Sequence, residues 1–174
     1  IEAIRIVLPM AFLIAAGYVI VYRVMDFAED GNWKAFVAAS FVSSAIYSLS
    51  SFLIVLVLKW IFIGRYKARK APMWTVFVWL SEAVTVAYES LAVPSFLNHL
   101  RGTPFLPWAM RLMGASIGQG VWMNTTDLTE FDCVQIGSYA ELNAHCGPQT
   151  HLFEDRVMRI GNVKIGEGAT LGAR

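Results

Sequence analysis

The stretch that decides the fold is IGNVKIGEGATLG, residues 160–172, in which aliphatic residues are each followed by glycine. Two of these pairs, Ile165-Gly166 and Leu171-Gly172, lie six residues apart. Such a repeat is typical of a parallel β-helix, because the aliphatic side chain fills the interior and a small residue allows the backbone to turn. Earlier pairs of the same kind are Ile117-Gly118 and Ile136-Gly137. We therefore predict a parallel β-helix over residues 114–174.

A polar stretch, QTHLFEDR at residues 149–156, interrupts this repeat and contains His151. An amine that attacks an activated acyl group must lose a proton, and a histidine accepts protons near neutral pH. His151 is therefore the candidate general base, oriented by Glu154, by Asp155 or by a main-chain carbonyl. An exposed loop histidine is the alternative interpretation. Three further residues are candidates for supporting polar roles: Asn143, His145 and Thr150.

Acidic residues in two regions are candidates for binding a cationic substrate. Ile117 and Ile136 are nineteen residues apart, which is one residue more than the length of a regular triangular coil. We therefore place an extra residue within residues 125–132. Asp127 and Glu130 in that segment suit either a cationic amino acid or ordinary turn and cap chemistry. Glu82 and Glu89 are seven residues apart and share one face of a helix. They bind a cationic group, or they point towards water or lipid headgroups.

The N-terminal part is apolar enough to enter a membrane. Hydrophobic residues make up 56% of the chain, and mean hydropathy is +0.52. Apolar runs at residues 6–22 and 35–63 predict a transmembrane helix hairpin over residues 1–64. The basic cluster at the end of the second run predicts an integral membrane protein with the β-helix on the cytoplasmic side. The cluster consists of Lys59, Arg65, Lys67, Arg69 and Lys70.

The connector at residues 65–113 is predicted to be helical and interfacial. Residues 73–100 are rich in aromatic side chains, and Pro94 should end or kink a helix near Val93. Residues 105–113 form a short amphipathic helix with Arg111 on its polar side. The chain lacks an initial Met and ends within the repeat, so we expect a piece of a longer protein with an incomplete β-helix.

The composition gives little support for nucleic-acid binding, for a disulfide or for a metal site. The net charge of +1 gives no field for nucleic acid. Cys133 and Cys146 form no CxxC pair and are predicted to be reduced, buried and cytosolic. His145 and His151 are the two histidines of the coil, so a three-histidine zinc site lacks a ligand and no metal is predicted.

Several segments together resemble the C-terminal region of membrane-embedded nonribosomal peptide synthetase-like enzymes, the ε-poly-L-lysine synthetase family. They are GRYK (64–67), ESLAVP (89–94), LRGTPFLP (100–107), TTDLTEFD (125–132) and QTHLFEDR (149–156). The position of His151 is also similar to that of the basic histidine in hexapeptide-repeat acyltransferases, whose fold is a left-handed β-helix. The resemblance implies two transmembrane helices, a helical collar and a left-handed β-helix acyltransferase unit.

The same resemblance implies amide-bond formation between an aminoacyl thioester and a free amine, as in poly-lysine-type polymer synthesis. The acyl donor is carried on the phosphopantetheine of a carrier protein, with no cofactor bound directly. The implied partners are the carrier and adenylation domains of the same synthetase, sister β-helix units or a homo-oligomer, and the plasma membrane of a bacterium. These 174 residues contain neither domain. The alternative is a non-catalytic β-helix that supports a sister catalytic unit or product export.

Overall fold

Two long helices form the N-terminal part of the computed structural model, which describes residues 2–173 and, among side chains, Ala15 and residues 17–173. Helix α1 is Glu2–Glu29 and α2 is Trp33–Phe62. Asn32 caps α2, because its side-chain oxygen accepts a hydrogen bond from the Ala35 N–H at 3.2 Å. The helices pack on each other as a hairpin. The backbone of the predicted span 6–22 is helical, but most of its side chains lie outside the described residues.

The connector begins with a strand and continues as helices. Its strand β1 is Arg69–Pro72, followed by α3 (Val76–Ala87), a π-helical turn (Tyr88–Ala92), α4 (Val93–Ser95), a 3-10 turn (Leu97–Leu100) and α5 (Phe105–Met113). Pro94 was expected to end or kink a helix near Val93. The helix passes through a π-helical turn directly before Val93 and ends at Ser95, one residue after the proline. Within the described residues, α2 and the continuous segment Val76–Ser95 are long and apolar enough to cross a membrane.

The C-terminal part contains two three-stranded parallel sheets. One has the order β2-β4-β8 and the other β3-β5-β9. The strands are β2 Ser116–Ile117, β3 Trp122–Met123, β4 Val134–Ile136, β5 Glu141–Leu142, β8 Val163–Ile165 and β9 Thr170–Leu171. Ile136 pairs with Ile117 on one side and with Ile165 on the other, so the Ile-Gly steps stack in register. A closed left-handed β-helix over this region stays a prediction.

Stacking explains why glycine follows the aliphatic residue. Ile136, Leu142 and Ile165 are buried in the interior. A Cβ atom added at Gly118 would lie 2.5 Å from the Ser138 nitrogen, and one at Gly137 would lie 2.5 Å from the Glu167 nitrogen. Backbones of successive coils therefore pass too closely for any larger residue.

The extra residue of the first coil lies where it was predicted. Trp122 pairs with Glu141, nineteen residues later, although the steps from Ser116 to Trp122 and from Gln135 to Glu141 are both six. The additional residue therefore falls between β3 and β4, a segment that contains a left-handed residue, Glu130, at φ 40°.

The polar stretch after residue 148 forms a β-hairpin rather than a loop. Its strands are β6 (His151–Glu154) and β7 (Val157–Ile160), joined by Asp155 and Arg156 with left-handed φ values of 51° and 60°. Two successive left-handed residues match the twist of a tight hairpin turn. Strand β1 of the connector pairs with β7 to give an antiparallel sheet of order β1-β7-β6. This pairing fixes the hairpin against the helical connector.

Candidate active site

His151 and Glu130 form a close pair at the centre of the candidate site. The His151 Nδ1 atom lies 2.9 Å from Glu130 Oε2, and the same oxygen accepts a hydrogen bond from Thr150 Oγ1 at 2.5 Å. The Glu130 side chain is 1% exposed and that of His151 is 20% exposed. Because a carboxylate only accepts hydrogen bonds, His151 Nδ1 carries the proton. In the neutral ring, the other nitrogen, Nε2, then has a lone pair that can accept a proton.

The electrostatics of the pair favour two opposite charges. The hydrogen bond to Glu130 raises the pKa of His151, against the opposing effect of burial, and the charges of Glu130 and Glu82 add to the increase. Burial acts to raise the pKa of Glu130, but hydrogen bonds from His151 and Thr150 outweigh it and hold that pKa below its usual value. Glu130 therefore stays ionised and stabilises a proton on His151.

A cleft opens beside the imidazole ring. It has a volume of about 370 Å³ and is lined by the start of β6 and the end of β7. The lining residues are Gln149, Thr150, His151, Leu152, Arg159, Ile160 and Gly161. The partial exposure of His151 therefore faces a space large enough for a small reacting group, while its carboxylate partner lies behind it in the protein.

Helix α2 and the π-helical turn after α3 hold the segment that carries Glu130. Two residues further on, Asp132 Oδ2 lies 2.8 Å from the Nζ of Lys59 in α2 and accepts a hydrogen bond from the Tyr66 N–H at 3.0 Å. Lys59 is fully buried. The ring of Phe131 packs edge-on against Tyr88, with centroids 5.1 Å apart. The left-handed conformation of Glu130 is thus held from both sides by packing and by a buried ion pair.

Two predicted roles are corrected by this geometry. Glu130 was expected to bind substrate, but it is buried against His151 because Thr150 and His151 both donate to it. Glu154 and Asp155 were expected to orient His151. Glu154 is instead exposed and lies 3.3 Å from Arg159, because alternation along β6 directs it to the other face from His151. Asp155 is exposed in the hairpin turn.

The remaining polar candidates occupy different places. Thr150 belongs to the Glu130 network, which also includes Thr129. Asn143 donates from Nδ2 to the Leu171 carbonyl at 3.1 Å, so it ties successive coils together. His145 is exposed in a turn with φ 58° and is not part of the hydrogen-bonded group formed by His151, Glu130 and Thr150.

The predicted acidic substrate-binding residues lie near one another. Glu82 is half-buried and its charge contributes to the raised pKa of His151, which places it on the side of the site formed by α3. Glu89 and Asp127 are both exposed. Among the described residues, no cluster of three or more His, Cys, Asp or Glu side chains is arranged to hold a metal. Cys133 and Cys146 are buried and unpaired, as predicted.

Sequence reasoning missed Glu130 as the partner of His151, although it singled out both residues. Twenty-one positions separate them, and the only local signal was the extra residue in the coil between β3 and β4. The pairing of β1 with the hairpin was also missed, because nothing in RKAP (residues 69–72) distinguishes a strand from an exposed basic linker.

Comparison with known proteins relates the chain to poly-amino-acid synthetases. It is 53% identical over 174 residues to the delta-poly-L-ornithine synthetase of Acinetobacter baumannii (strain AB307-0294). The match covers 100% of the chain and 13% of the length of that relative. No family model and no solved structure matches the chain.

Proposed function

We propose that this chain is an acyl-transfer unit of a membrane-bound poly-amino-acid synthetase, with His151 as general base. The observation that carries the proposal is the 2.9 Å contact between His151 Nδ1 and the buried Glu130 carboxylate, with the ring lining a cleft. A carboxylate that fixes the tautomer of a partly exposed histidine is typical of general-base sites. The relationship to a poly-ornithine synthetase supports the same class of reaction.

In the proposed reaction, a free amine enters the cleft and attacks the carbonyl carbon of a carrier-bound aminoacyl thioester. His151 Nε2 accepts the amine proton as the C–N bond forms, and Glu130 stabilises the resulting imidazolium. The C–S bond then breaks, and the departing phosphopantetheine thiolate takes the proton back from His151. The products are an amide and the free thiol, so atoms and charge balance without another reactant.

The proposed substrate is an amino acid with a cationic side chain. The name of the relative supports ornithine or a similar diamino acid. Glu82 adds negative charge next to His151, which favours approach of a cation. The proposed partners are the carrier and adenylation domains of the same synthetase, together with sister units of this kind or further copies of the chain.

The proposed setting is a bacterial plasma membrane with the parallel sheets on the cytoplasmic side. Support for a membrane comes from α2, which is long and apolar enough to cross it, and support for the cytoplasmic side comes from the basic residues that follow α2. We propose further that the two parallel sheets are two faces of a left-handed β-helix. The β6–β7 hairpin and the segment with the extra residue then occupy the third side.

The test compares His151→Ala with the matched variant His145→Ala in the full-length synthetase. Loss of the general base should reduce polymer formation about 10²- to 10⁴-fold, whereas His145 is exposed and its variant should behave as wild type. The assay measures polymer from a preloaded carrier, with carrier loading and membrane insertion as controls. Wild-type yield from His151→Ala would show that the unit is structural.

A further inference from the structure

Helix α5 lies on the surface and exposes only apolar side chains. Phe105, Trp108 and Leu112 are 65%, 70% and 57% exposed. Their spacing of three and four residues places them on one face of the helix. The other apolar residues of the helix face the core: Leu106, Pro107, Ala109, Met110 and Met113.

The single charged residue of α5 does not offset this exposure. Arg111 turns towards the first coil, where its Nε donates to the Ile117 carbonyl at 3.0 Å and its Nη2 to the Gly118 carbonyl at 2.6 Å. The sequence prediction of an amphipathic helix with a polar side at Arg111 is therefore corrected. The helix is apolar towards the core and apolar outwards, which is unfavourable in water.

The outward face of α5 continues an apolar face of α2. The indole nitrogen of Trp60, in the last turn of α2, donates to the Leu112 carbonyl at 3.1 Å. Along α2, the side chains of Leu53, Val57 and Ile61 are 45%, 52% and 71% exposed. This exposed apolar surface belongs to a helix that is long enough to cross a membrane.

Aromatic and basic residues mark the same end of the helices. Trp60 is 41% exposed near the end of α2, and Trp74 is 74% exposed just before the segment Val76–Ser95. The linker between these tryptophans carries four exposed basic side chains: Arg65, Lys67, Arg69 and Lys70. Tryptophan at the ends of apolar helices, together with clustered basic residues, is the pattern found at a membrane surface with anionic headgroups.

We propose that α5 is an interfacial membrane helix whose Phe105, Trp108 and Leu112 insert among bilayer lipids. The occupant of this face is lipid, because the face continues the apolar surface of α2 and lies at the end marked by tryptophan and basic residues. A helix in this position holds the start of the first coil against the membrane, since Arg111 binds that coil. The inference rests on the membrane association proposed above.

The experiment uses photo-crosslinking in the full-length protein, reconstituted into nanodiscs of phosphatidylethanolamine and phosphatidylglycerol. The photoreactive residue p-benzoylphenylalanine replaces Phe105, or Tyr139 in the coil, which has the same exposure of 65%. A third position, Leu53, reports on α2 itself. After irradiation, mass spectrometry identifies the adducts.

Lipid adducts are expected at Phe105 and Leu53, with at least a tenfold lower yield at Tyr139. Lipid adducts at Leu53 with protein adducts or none at Phe105 would overturn the interfacial role of α5 and leave the membrane association standing. Absence of lipid adducts at Leu53 would remove the membrane association and this inference with it. Equal yields at Phe105 and Tyr139 would also overturn the inference, since the two positions would then have the same surroundings.

Discussion

Replacing Glu130 with glutamine tests the proposed pair most directly. The amide has the shape of the carboxylate and keeps one oxygen to accept a hydrogen bond, but it has no charge to stabilise an imidazolium. Two unit charges about 4 Å apart attract by about 4 kcal/mol at an effective dielectric constant of about 20. The His151 side chain is 20% exposed, so solvent screens part of this attraction. We therefore expect Glu130→Gln to lose about 2–3 kcal/mol of transition-state stabilisation, which corresponds to a roughly 30- to 150-fold slower rate.

The pH dependence supplies a second, independent readout. In the wild-type protein the hydrogen bond to Glu130 raises the pKa of His151. As the pH falls, His151 is therefore protonated, and stops acting as a base, at a higher pH than an ordinary histidine. In Glu130→Gln that pKa falls, and the acid limb of the rate profile should move to lower pH. The assay is polymer formation from a preloaded carrier across a pH series.

The matched control for this experiment is Glu154→Gln. Glu154 lies on the same hairpin as His151 but is exposed and near Arg159, so its variant should keep the wild-type rate and acid limb. A Glu130→Gln protein with an unchanged rate and an unshifted acid limb would refute the role given to the carboxylate. The opposite pattern, with Glu154→Gln impaired, would restore Glu154 as the orienting residue.

Three further substitutions test the packing around the site. Gly137→Ala should lower the free energy of unfolding by about 1–3 kcal/mol, because its Cβ would meet the Glu167 backbone. Gly17→Ala in α1 is the matched control and should be nearly neutral, because nothing lies within 4 Å of a Cβ atom there. Thermal unfolding in detergent compares the two variants, and equal effects would contradict the stacking argument. Asp132→Asn should lower the free energy of unfolding by about 3–5 kcal/mol, since it leaves Lys59 buried without its counter-ion. Adding Lys59→Met to Asp132→Asn should recover most of this loss, as measured by chemical unfolding. No recovery would argue against the ion pair. Thr150→Val removes a hydrogen bond to Glu130. The acid limb of the pH–rate profile should therefore shift, while carrier loading stays unchanged. An unshifted limb would show that Thr150 has no part in setting the pKa of His151 through Glu130.

Much of the secondary structure and one half of the candidate site could be predicted from local pattern. The Ile-Gly pairs mark the strands of one parallel sheet, and the irregular spacing before Ile136 located the extra residue correctly. His151 stood out because it interrupts that pattern. These features depend on neighbours a few residues apart, which the sequence displays directly. The surroundings of the helix at Val76–Ser95 were harder to predict from the sequence, because burial within the protein and burial in lipid require the same apolar composition.

The sequence by itself determined the periodic elements and the apolar helices, since each follows from side chains repeated at short intervals. Tertiary structure alone decided which carboxylate meets His151, that β1 joins the hairpin, and that Lys59 meets Asp132. Several acidic residues were available for each role, and local spacing favoured the nearby Glu154. The physical reason is that strand alternation turns Glu154 away from His151, whereas the left-handed turn at Glu130, held by α2 and by the π-helical turn, brings a distant carboxylate next to the ring.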